Sequence, residues 1–343
     1  MTPEPVTSDL VTPDPETGGT AFEAMLAGDW PRERIAAYLT DLHERGETPT
    51  EIEGCARAML SRCVRLPVDN VVDVGGTGGD GGGTFNISTT AAILVAATGV
   101  PVIKHGNRAV SGTCGSVDML LALGVHVPAR ADAEDTVRRL ARTGFAVAPT
   151  PVFHRFPEQL TAARRGLGFP TVFNLAGPLA HPAAGLTGQV VGVTWPRFAG
   201  VLATTLHRLG RLRAAVLHGQ CSTGQGHGTG IDEPSLSGPT TITWLHAGQV
   251  ETFDITPEQF GLGRAAPAEL AGGDPAVNAG ICRSVLSGDG GPRRDVVLLA
   301  AGIALWTAGL AASIADGMTT AARTIASGTA ARFLTRLTSS DLS

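Results

Sequence analysis

The chain lacks any CxxC pair: its five cysteines, Cys55, Cys63, Cys114, Cys221 and Cys282, are odd in number and widely scattered. A disulfide framework and a zinc knuckle are thereby excluded, and a reducing, cytoplasmic setting is expected. Basic charge is scarce as well. Lys and Arg total 26 against 31 Asp and Glu, a formal net charge of -5. That balance opposes general binding to a phosphate backbone but leaves room for one local cationic pocket holding a small anion. Aromatic residues make up 5% and Tyr occurs once, an unusual composition that carries little chemistry. The opening "MTPEPVTSDLVTPDPETGGT" has neither the basic region nor the apolar core of a signal peptide. Its Pro, Thr and acidic content predicts a disordered tail over residues 1–19. Internal repeats, coiled-coil heptads and a G-x-S-x-G nucleophile elbow are all missing. One uncharged run, "VVLLAAGIALWTAGLAASIA" from Val296 to Ala315, is long enough for a membrane span. Its Ala and Gly content, with Thr and Ser inside, predicts a packed core helix instead.

What is present suits a globular protein. A length of 343 residues allows two domains, or a large one with a smaller partner. Residues 21–66 carry apolar positions at helical spacing in "FEAMLAGDW", "RERIAAYLTDLHERG" and "TPTEIEGCARAMLSRC", with Thr50 the expected N-cap of the last. The pattern then switches. Short apolar runs at 71–74, 100–104, 145–149, 188–194, 214–219 and 240–245 read as buried strands, and helical patterns lie between the early ones and fill the end of the chain. This alternation predicts an α/β domain with a mostly parallel sheet.

Four stretches carry chemistry. "DVGGTGGDGGGTFNIST" (73–89) places seven glycines between a strand and a helix. Backbone N–H groups there can converge on an anion, aided by the helix N-terminus, and Asn86, Ser88 and Thr89 can cap the helix or bind phosphate oxygens. A flexible loop with ordinary caps is the plain alternative, and neither the dinucleotide-binding nor the P-loop pattern fits, since no Lys follows the glycines. "KHGNR" (104–108) ends the second parallel strand, where Lys104, His105 and Arg108 could face the same anion, or form a solvated basic turn. "IDEPS" pairs Asp232 with Glu233; such neighbours are usually just solvated, but with a phosphorylated ligand they could hold Mg²⁺. "FHRFPEQLTAARRGLG" supplies His154 and Arg164, the latter either a clamp for a carboxylate or a helix-terminal charge.

Taken together, these stretches resemble the anthranilate phosphoribosyltransferase family, which joins 5-phosphoribosyl 1-diphosphate to the amine of anthranilate in tryptophan biosynthesis. "GTGGDGGGTFNIST" looks like its signature loop, "KHGNRAVSGTCGSVDMLLALG" its second motif, "TVFNLAGPLAHP" its third and "GIDEPS" its metal motif. The likeness runs over residues 20–335. It implies the nucleoside phosphorylase/phosphoribosyltransferase type of fold: a small all-helical domain over 20–68, completed by residues around 155–180, and a larger α/β domain over 69–343. The site would lie in the cleft between them. Gly76, Gly79, Asp80, Thr84, Asn86, Ile87, Ser88, Thr89, Lys104, His105, Gly106, Asn107, Arg108, Ser111, Gly112 and Ser116 are implied to hold the diphosphate donor. Ser88, Asp232 and Glu233 would coordinate two Mg²⁺ ions. Gly76, Asn107, His154 and Arg164 would address the acceptor, and Lys104 and Asn107, with the metal, would stabilise the transition state. A cytoplasmic homodimer is implied too.

The sequence departs from the family pattern at Arg155–Pro157, Ala176, His181 and Ala300, in a Gly-rich insertion at 220–229, and at Gly75, where a bulkier apolar residue is commoner and a looser turn is expected. Most departures fall at the acceptor end, so a relative using another aromatic or heteroaromatic acceptor is a competing reading. A pyrimidine nucleoside phosphorylase is disfavoured by "KHGNR", and a nucleic-acid-binding relative by the charge and the intact Asp232–Glu233 pair.

Overall fold

The computed structural model describes residues 18–78, 83–109, 113–221 and 230–339. Residues 1–17 of the expected tail, Gly79, Asp80, Ser111, Gly112 and most of the 220–229 insertion lie outside these residues. The chain begins with three helices, α1 (Gly18–Ala27), α2 (Arg32–Arg45) and α3 (Pro49–Arg62), so Gly18 and Gly19 belong to a helix and not to the tail. Helix α3 starts earlier than expected. Thr48, not Thr50, is its N-cap: the Thr48 side chain accepts from the Glu51 N–H at 3.3 Å, and Glu51 Oε2 accepts from the Thr48 N–H at 2.9 Å. Pro49 favours this start because it needs no amide partner in the first turn. Arg45 pairs with the same Glu51 carboxylate, tying α2 to α3.

The sheet then assembles from β1 (Val71–Gly76), α4 (Ile87–Ala97), β2 (Val102–Gly106), α5 (Ser116–Leu123), α6 (Ala133–Thr143), β3 (Phe145–Pro149), α7 (Thr150–Phe153), α8 (Glu158–Leu167), α9 (Val172–Leu179), β4 (Leu186–Gly192), α10 (Ala199–Arg208) and β5 (Arg213–Gln220). The short β6 (Gly230–Ile231) and the hairpin β7 (Thr240–His246) and β8 (Gln249–Ile255) follow. Strand order is β3-β2-β1-β4-β5-β7-β8, with β6 on β5; β3 through β5 run parallel and β6, β7 and β8 antiparallel. The six apolar runs are all strands. Helices α11 (Pro275–Ser287), α12 (Pro292–Thr307), α13 (Ile314–Ala326) and α14 (Thr329–Leu337) complete the chain.

Alternation along the strands feeds two cores. Val72, Val74, Val102, Val147, Val190 and Ala215 face α4, α5 and α11–α14, whereas Val191, Ala214 and Val216 face α10 and, beyond it, α1–α3, α8 and α9. Helices α8 and α9 therefore pack with the N-terminal three although long stretches of chain separate them. The uncharged run does not form one helix: α12 ends at Thr307 and Gly309, at φ 72°, turns the chain before α13. Its apolar character comes from burial on nearly every side between the sheet and α13. Among the described residues no helix is long and apolar enough to cross a membrane.

The cap assignment has a direct test. Thr48→Ala should cost about 1 kcal/mol of stability and Thr50→Ala close to nothing. Equal losses for the two in thermal or urea unfolding would show that the helix is capped elsewhere.

Candidate functional site

The ends of β1, β2 and β4 meet at the point where strand order reverses, the usual place for a ligand in an open parallel sheet. What crosses that point is the turn carrying Asp232 and Glu233. A Cβ at Gly192 would lie 1.7 Å from the Asp232 carbonyl oxygen, and one at Gly76 would lie 2.3 Å from its carboxylate. Only glycine at the ends of β4 and β1 lets the acidic turn reach the sheet. Two backbone amides then hold the carboxylates: Gly78 N–H donates to Asp232 Oδ2 at 2.7 Å, and Ser88 N–H, in the first turn of α4, donates to Glu233 Oε1 at 2.9 Å. The glycine-rich loop is thus pinned at both ends by one dipeptide distant in sequence. Thr77 and Thr194, absent from the expected set, fasten the loop to β4: Thr77 N–H donates to the Gly192 carbonyl at 2.9 Å and Thr194 Oγ1 to the Gly78 carbonyl at 3.1 Å.

Lys104 lies beneath this turn. It is the only lysine in the sequence, the rest of the Lys and Arg total being arginine, and it is 3% exposed. Its ammonium faces Asp73, Glu233 and Asp232. Burial pushes the Lys104 pKa down and these carboxylates push it back up. Asp73, 2% exposed, is pushed up to about 6 by burial, against the pull of Lys104 and a bond from the His105 N–H at 3.2 Å. Glu233 is pushed up to about 8 by burial and by Asp232. Two abutting carboxylates, one reluctant to ionise, form a donor set short of positive charge. Among the described residues no cluster of three or more His, Cys, Asp and Glu could hold an ion unaided. The pair with the Ser88 hydroxyl suits Mg²⁺, which takes few protein ligands and completes its shell with water and phosphate oxygens. Gly75, expected in a loosened turn, is instead within β1 opposite Val191, where a Cβ would meet Lys104 Nζ at 3.4 Å.

The second loop divides its residues. Ser116 Oγ donates to the Asn107 carbonyl at 3.3 Å, and a Cβ at Gly106 would lie 2.1 Å from that hydroxyl. Asn107 Oδ1 accepts from the Arg108 N–H at 2.8 Å. Arg108 itself is 68% exposed and 3.5 Å from Asp118, so it leaves the Lys104 cluster for the surface. Thr84 makes a backbone bridge to Ala271, Ile87 is buried in the core, and Thr89 is buried in the first turn of α4. Asn86 does not cap that helix; its amide is engaged by Cys114 and Asn278.

Strand alternation sends His105 to the opposite side from Lys104. Its ring lies 5.3 Å from His154 and 5.2 Å from His181, centroid to centroid. Thr150 Oγ1 donates to the Gly106 carbonyl and so accepts from His105 Nε2–H at 3.1 Å. His154 Nδ1–H donates to the Met59 carbonyl at 3.2 Å, and its Nε2, buried, has no hydrogen-bond partner. Burial holds His154 down to about 4, and pushes His181 to about 3 and His105 well below the ordinary value. Beyond His154, Phe156 packs on its ring, and Arg164 lies over Phe156 at 5.8 Å and Phe173 at 5.2 Å. Arg164 is therefore no exposed helix-terminal charge. Its Nη2 donates to Asn174 Oδ1 at 3.2 Å, its Nε is buried without a partner, and burial pushes its pKa down to about 10.

The departures at this end have structural explanations. His181 Nε2–H donates to the Ile103 carbonyl at 3.0 Å and Nδ1 accepts from the Ala183 N–H at 3.0 Å, a clip inside the fold. Ala176 and Ala300 are packed in the two cores. Arg155, at φ 49°, turns the chain so that Phe156 faces inward and Pro157 precedes α8.

Comparisons with known proteins agree with this geometry. Residues 68–331 match the glycosyl transferase family a/b domain and residues 14–63 its helical bundle domain. An anthranilate phosphoribosyltransferase of Moorella thermoacetica is 46% identical over 91% of this chain and 89% of its own. The Thermus thermophilus anthranilate phosphoribosyltransferase structure superposes with a TM-score of 0.83 at 38% identity, covering 95% of both chains. The Saccharomyces cerevisiae enzyme in complex with PRPP and Mg matches at 0.82 and 27% identity, covering 94% of this chain and 92% of that one. The same yeast enzyme with 4-fluoroanthranilate matches at 0.80 and 27% identity, covering 95% and 92%.

The raised Glu233 pKa makes a prediction about stability. The folded state retains a proton that the unfolded state releases near the ordinary value of 4.5, so metal-free protein loses stability as pH rises from there to about 8. Glu233→Gln keeps an acceptor for the Ser88 N–H without the charge. It should raise the melting temperature of metal-free protein more at pH 9 than at pH 5, by roughly 1–2 °C per kcal/mol relieved. A variant that melts lower than wild type at pH 9 in EDTA would contradict the assignment.

Proposed function

The chain belongs to the anthranilate phosphoribosyltransferase family, and from that premise we propose that it joins 5-phosphoribosyl 1-diphosphate to anthranilate, releasing diphosphate, in tryptophan biosynthesis. The observation that carries the reading is the Asp232–Glu233 turn fastened to the glycine-rich loop and to the N-terminus of α4, with Lys104 beneath it. Such a cradle suits a ligand that brings its own phosphates and cation.

The donor lies along the loops after β1 and β2. Backbone N–H groups of the glycine-rich loop, the Ser88 and Thr89 hydroxyls and the Lys104 ammonium bind its phosphate oxygens. Mg²⁺ held by Asp232, Glu233 and Ser88, in two ions on this reading, neutralises charge gathering on the departing diphosphate. As the C1–oxygen bond breaks, its electron pair leaves with diphosphate and the ribose ring becomes positive. The anthranilate nitrogen then supplies its lone pair to C1 and loses its proton afterwards. No covalent nucleophile is needed, and the protein's contribution is positioning and charge.

The acceptor lies on the Arg164 side. Arg164 addresses its carboxylate, and the free Nε2 lone pair of His154 accepts a hydrogen bond from its amine; Asn107 and the Gly76 backbone lie between donor and acceptor. His154 stays neutral above about pH 5, so its lone pair remains available through the physiological range. Ala176, His181 and Ala300 are taken up by packing and backbone bonds, so these departures do not themselves call for a different acceptor. A two-domain organisation, helical over 20–68 with residues around 155–180 and α/β over 69–343, belongs to the same proposal, as does a cytoplasmic homodimer, which light scattering would test.

Anthranilate fluorescence should fall when the protein meets saturating donor and Mg²⁺, and no depletion would sink the reading. Arg164→Ala removes one charge-assisted contact, roughly 2–3 kcal/mol or about 30- to 150-fold in the KM for anthranilate. The KM for the diphosphate donor should move less than about threefold; equal increases in both would place Arg164 elsewhere.

A further inference from the structure

Behind the donor site runs the segment joining the 3-10 turn at Pro267–Leu270 to α11, and nothing in the mechanism above uses it. It lies antiparallel to the end of the glycine-rich loop. Phe85 N–H donates to the Leu270 carbonyl at 3.0 Å and Gly272 N–H to the Gly83 carbonyl at 2.7 Å, around the bridge between Thr84 and Ala271. The second loop is tied to the same strap, since Thr113 Oγ1 donates to the Gly273 carbonyl at 3.1 Å. The contact is close: a Cβ at Gly272 would lie 2.7 Å from Phe85 Cα and 2.7 Å from Asn278 Oδ1.

Asn278, 2% exposed in the first turn of α11, gathers these pieces. Its Oδ1 accepts from the Gly273 N–H at 2.8 Å and its Nδ2 donates to Asn86 Oδ1 at 2.9 Å. Asn86 Oδ1 also accepts from the Cys114 thiol at 3.2 Å, while Asn86 Nδ2 donates to the Cys114 carbonyl at 3.2 Å. The Asn86 amide is therefore read at both ends, and flipping it would set two donors face to face and two acceptors face to face. An amide pair of this kind, with Asn278 buried and Asn86 half-buried, fixes geometry more than it adds stability.

We propose that Asn278 is a positioning residue of the donor site: through Asn86 it sets the distance between the loop after β1 and the loop after β2, and so the spacing of the groups that meet the diphosphate. This rests on the donor assignment above. The strap touches neither His154 nor Arg164, so its loss should be felt at the donor and hardly at the acceptor.

The test is donor binding by calorimetry with Mg²⁺, alongside both KM values, for Asn278→Ala, Asn278→Asp and Gly272→Ala in the full-length protein. Asn278→Asp keeps the acceptor for Gly273 and the side-chain volume but loses the donor to Asn86, so it reads the bridge even where Asn278→Ala fails to fold. All should weaken donor binding about tenfold or more while the KM for anthranilate stays within about twofold. Asn86→Ala combined with Asn278→Asp should be no worse than the worse single variant, because both break one bridge. Unchanged donor affinity in Asn278→Asp, parallel loss at donor and acceptor, or multiplied effects in the double variant would overturn the inference. Wild-type protein that does not bind the donor would instead defeat the functional reading itself.

Discussion

The close approach of the Asp232 backbone to Gly192 and Gly76 governs the rest of the site. With any side chain at either glycine the acidic turn would be displaced, and the amide bonds from Gly78 and Ser88 would have nothing to meet. Those two bonds position the glycine-rich loop and the start of α4, the elements that face an anion. The cost is a crowded negative centre around Glu233, Asp232 and Asp73, relieved in part by buried Lys104 and by the backbone N–H groups of Gly78, Ser88 and His105. A site in that electrostatic state is unfinished until a cation arrives, which links binding of the phosphorylated donor to that of its metal.

The acceptor side follows the opposite logic. His154 and His181 each lie with ring centres little more than 5 Å from His105, yet burial keeps all three neutral, with tautomers set by bonds to Thr150, Met59 and Ile103. Arg164 lies over the rings of Phe156 and Phe173 and is steered by Asn174, while Arg211 and Arg65 bring further positive charge near the histidines. On the proposed reading, an aromatic carboxylate would meet Arg164 beside the two phenylalanine rings. The same helices, α8 and α9, belong to the packing of the N-terminal helices, whereas the Asp232–Glu233 turn rests on the sheet.

Much of this was legible in the residues. Buried parallel strands announce themselves as short apolar runs, and all six such runs formed strands. The edge strand β8 was not legible because "QVETFDI" is polar and mostly exposed, and its turn, Ala247–Gly248, lacks the usual Asn-Gly or Asp-Gly signature despite positive φ at both positions. Thr50 looked like a cap until Pro49 and the reciprocal bonds of Thr48 and Glu51 are considered, a signal available in the sequence as Thr-Pro-Thr-Glu. Lys104 and the glycine-rich loop could be expected to lie together because both follow strands that are neighbours in the sheet. Asp73 had a readable signal, a carboxylate inside a buried strand, whereas Asn278 and Thr194 had none, since their roles arise only when distant segments meet. His181 and Arg108 show the converse: a histidine near a site motif turned out to be a clip between backbone groups, and an arginine beside Lys104 turned outward to Asp118.

The chain's reliance on arginine everywhere but at position 104 has a further consequence. A guanidinium is a broad fork, whereas the space between Gly75, Asp73 and Glu233 takes a compact ammonium. Lys104 is thus the one side-chain primary amine of the sequence, and it lies buried beneath the Asp232–Glu233 turn. An isotope label incorporated as lysine would therefore report from one place, the buried centre between Asp73 and Glu233, with no engineered tag. The composition of the whole molecule thus turns one buried residue into a ready-made reporter of its own occupancy.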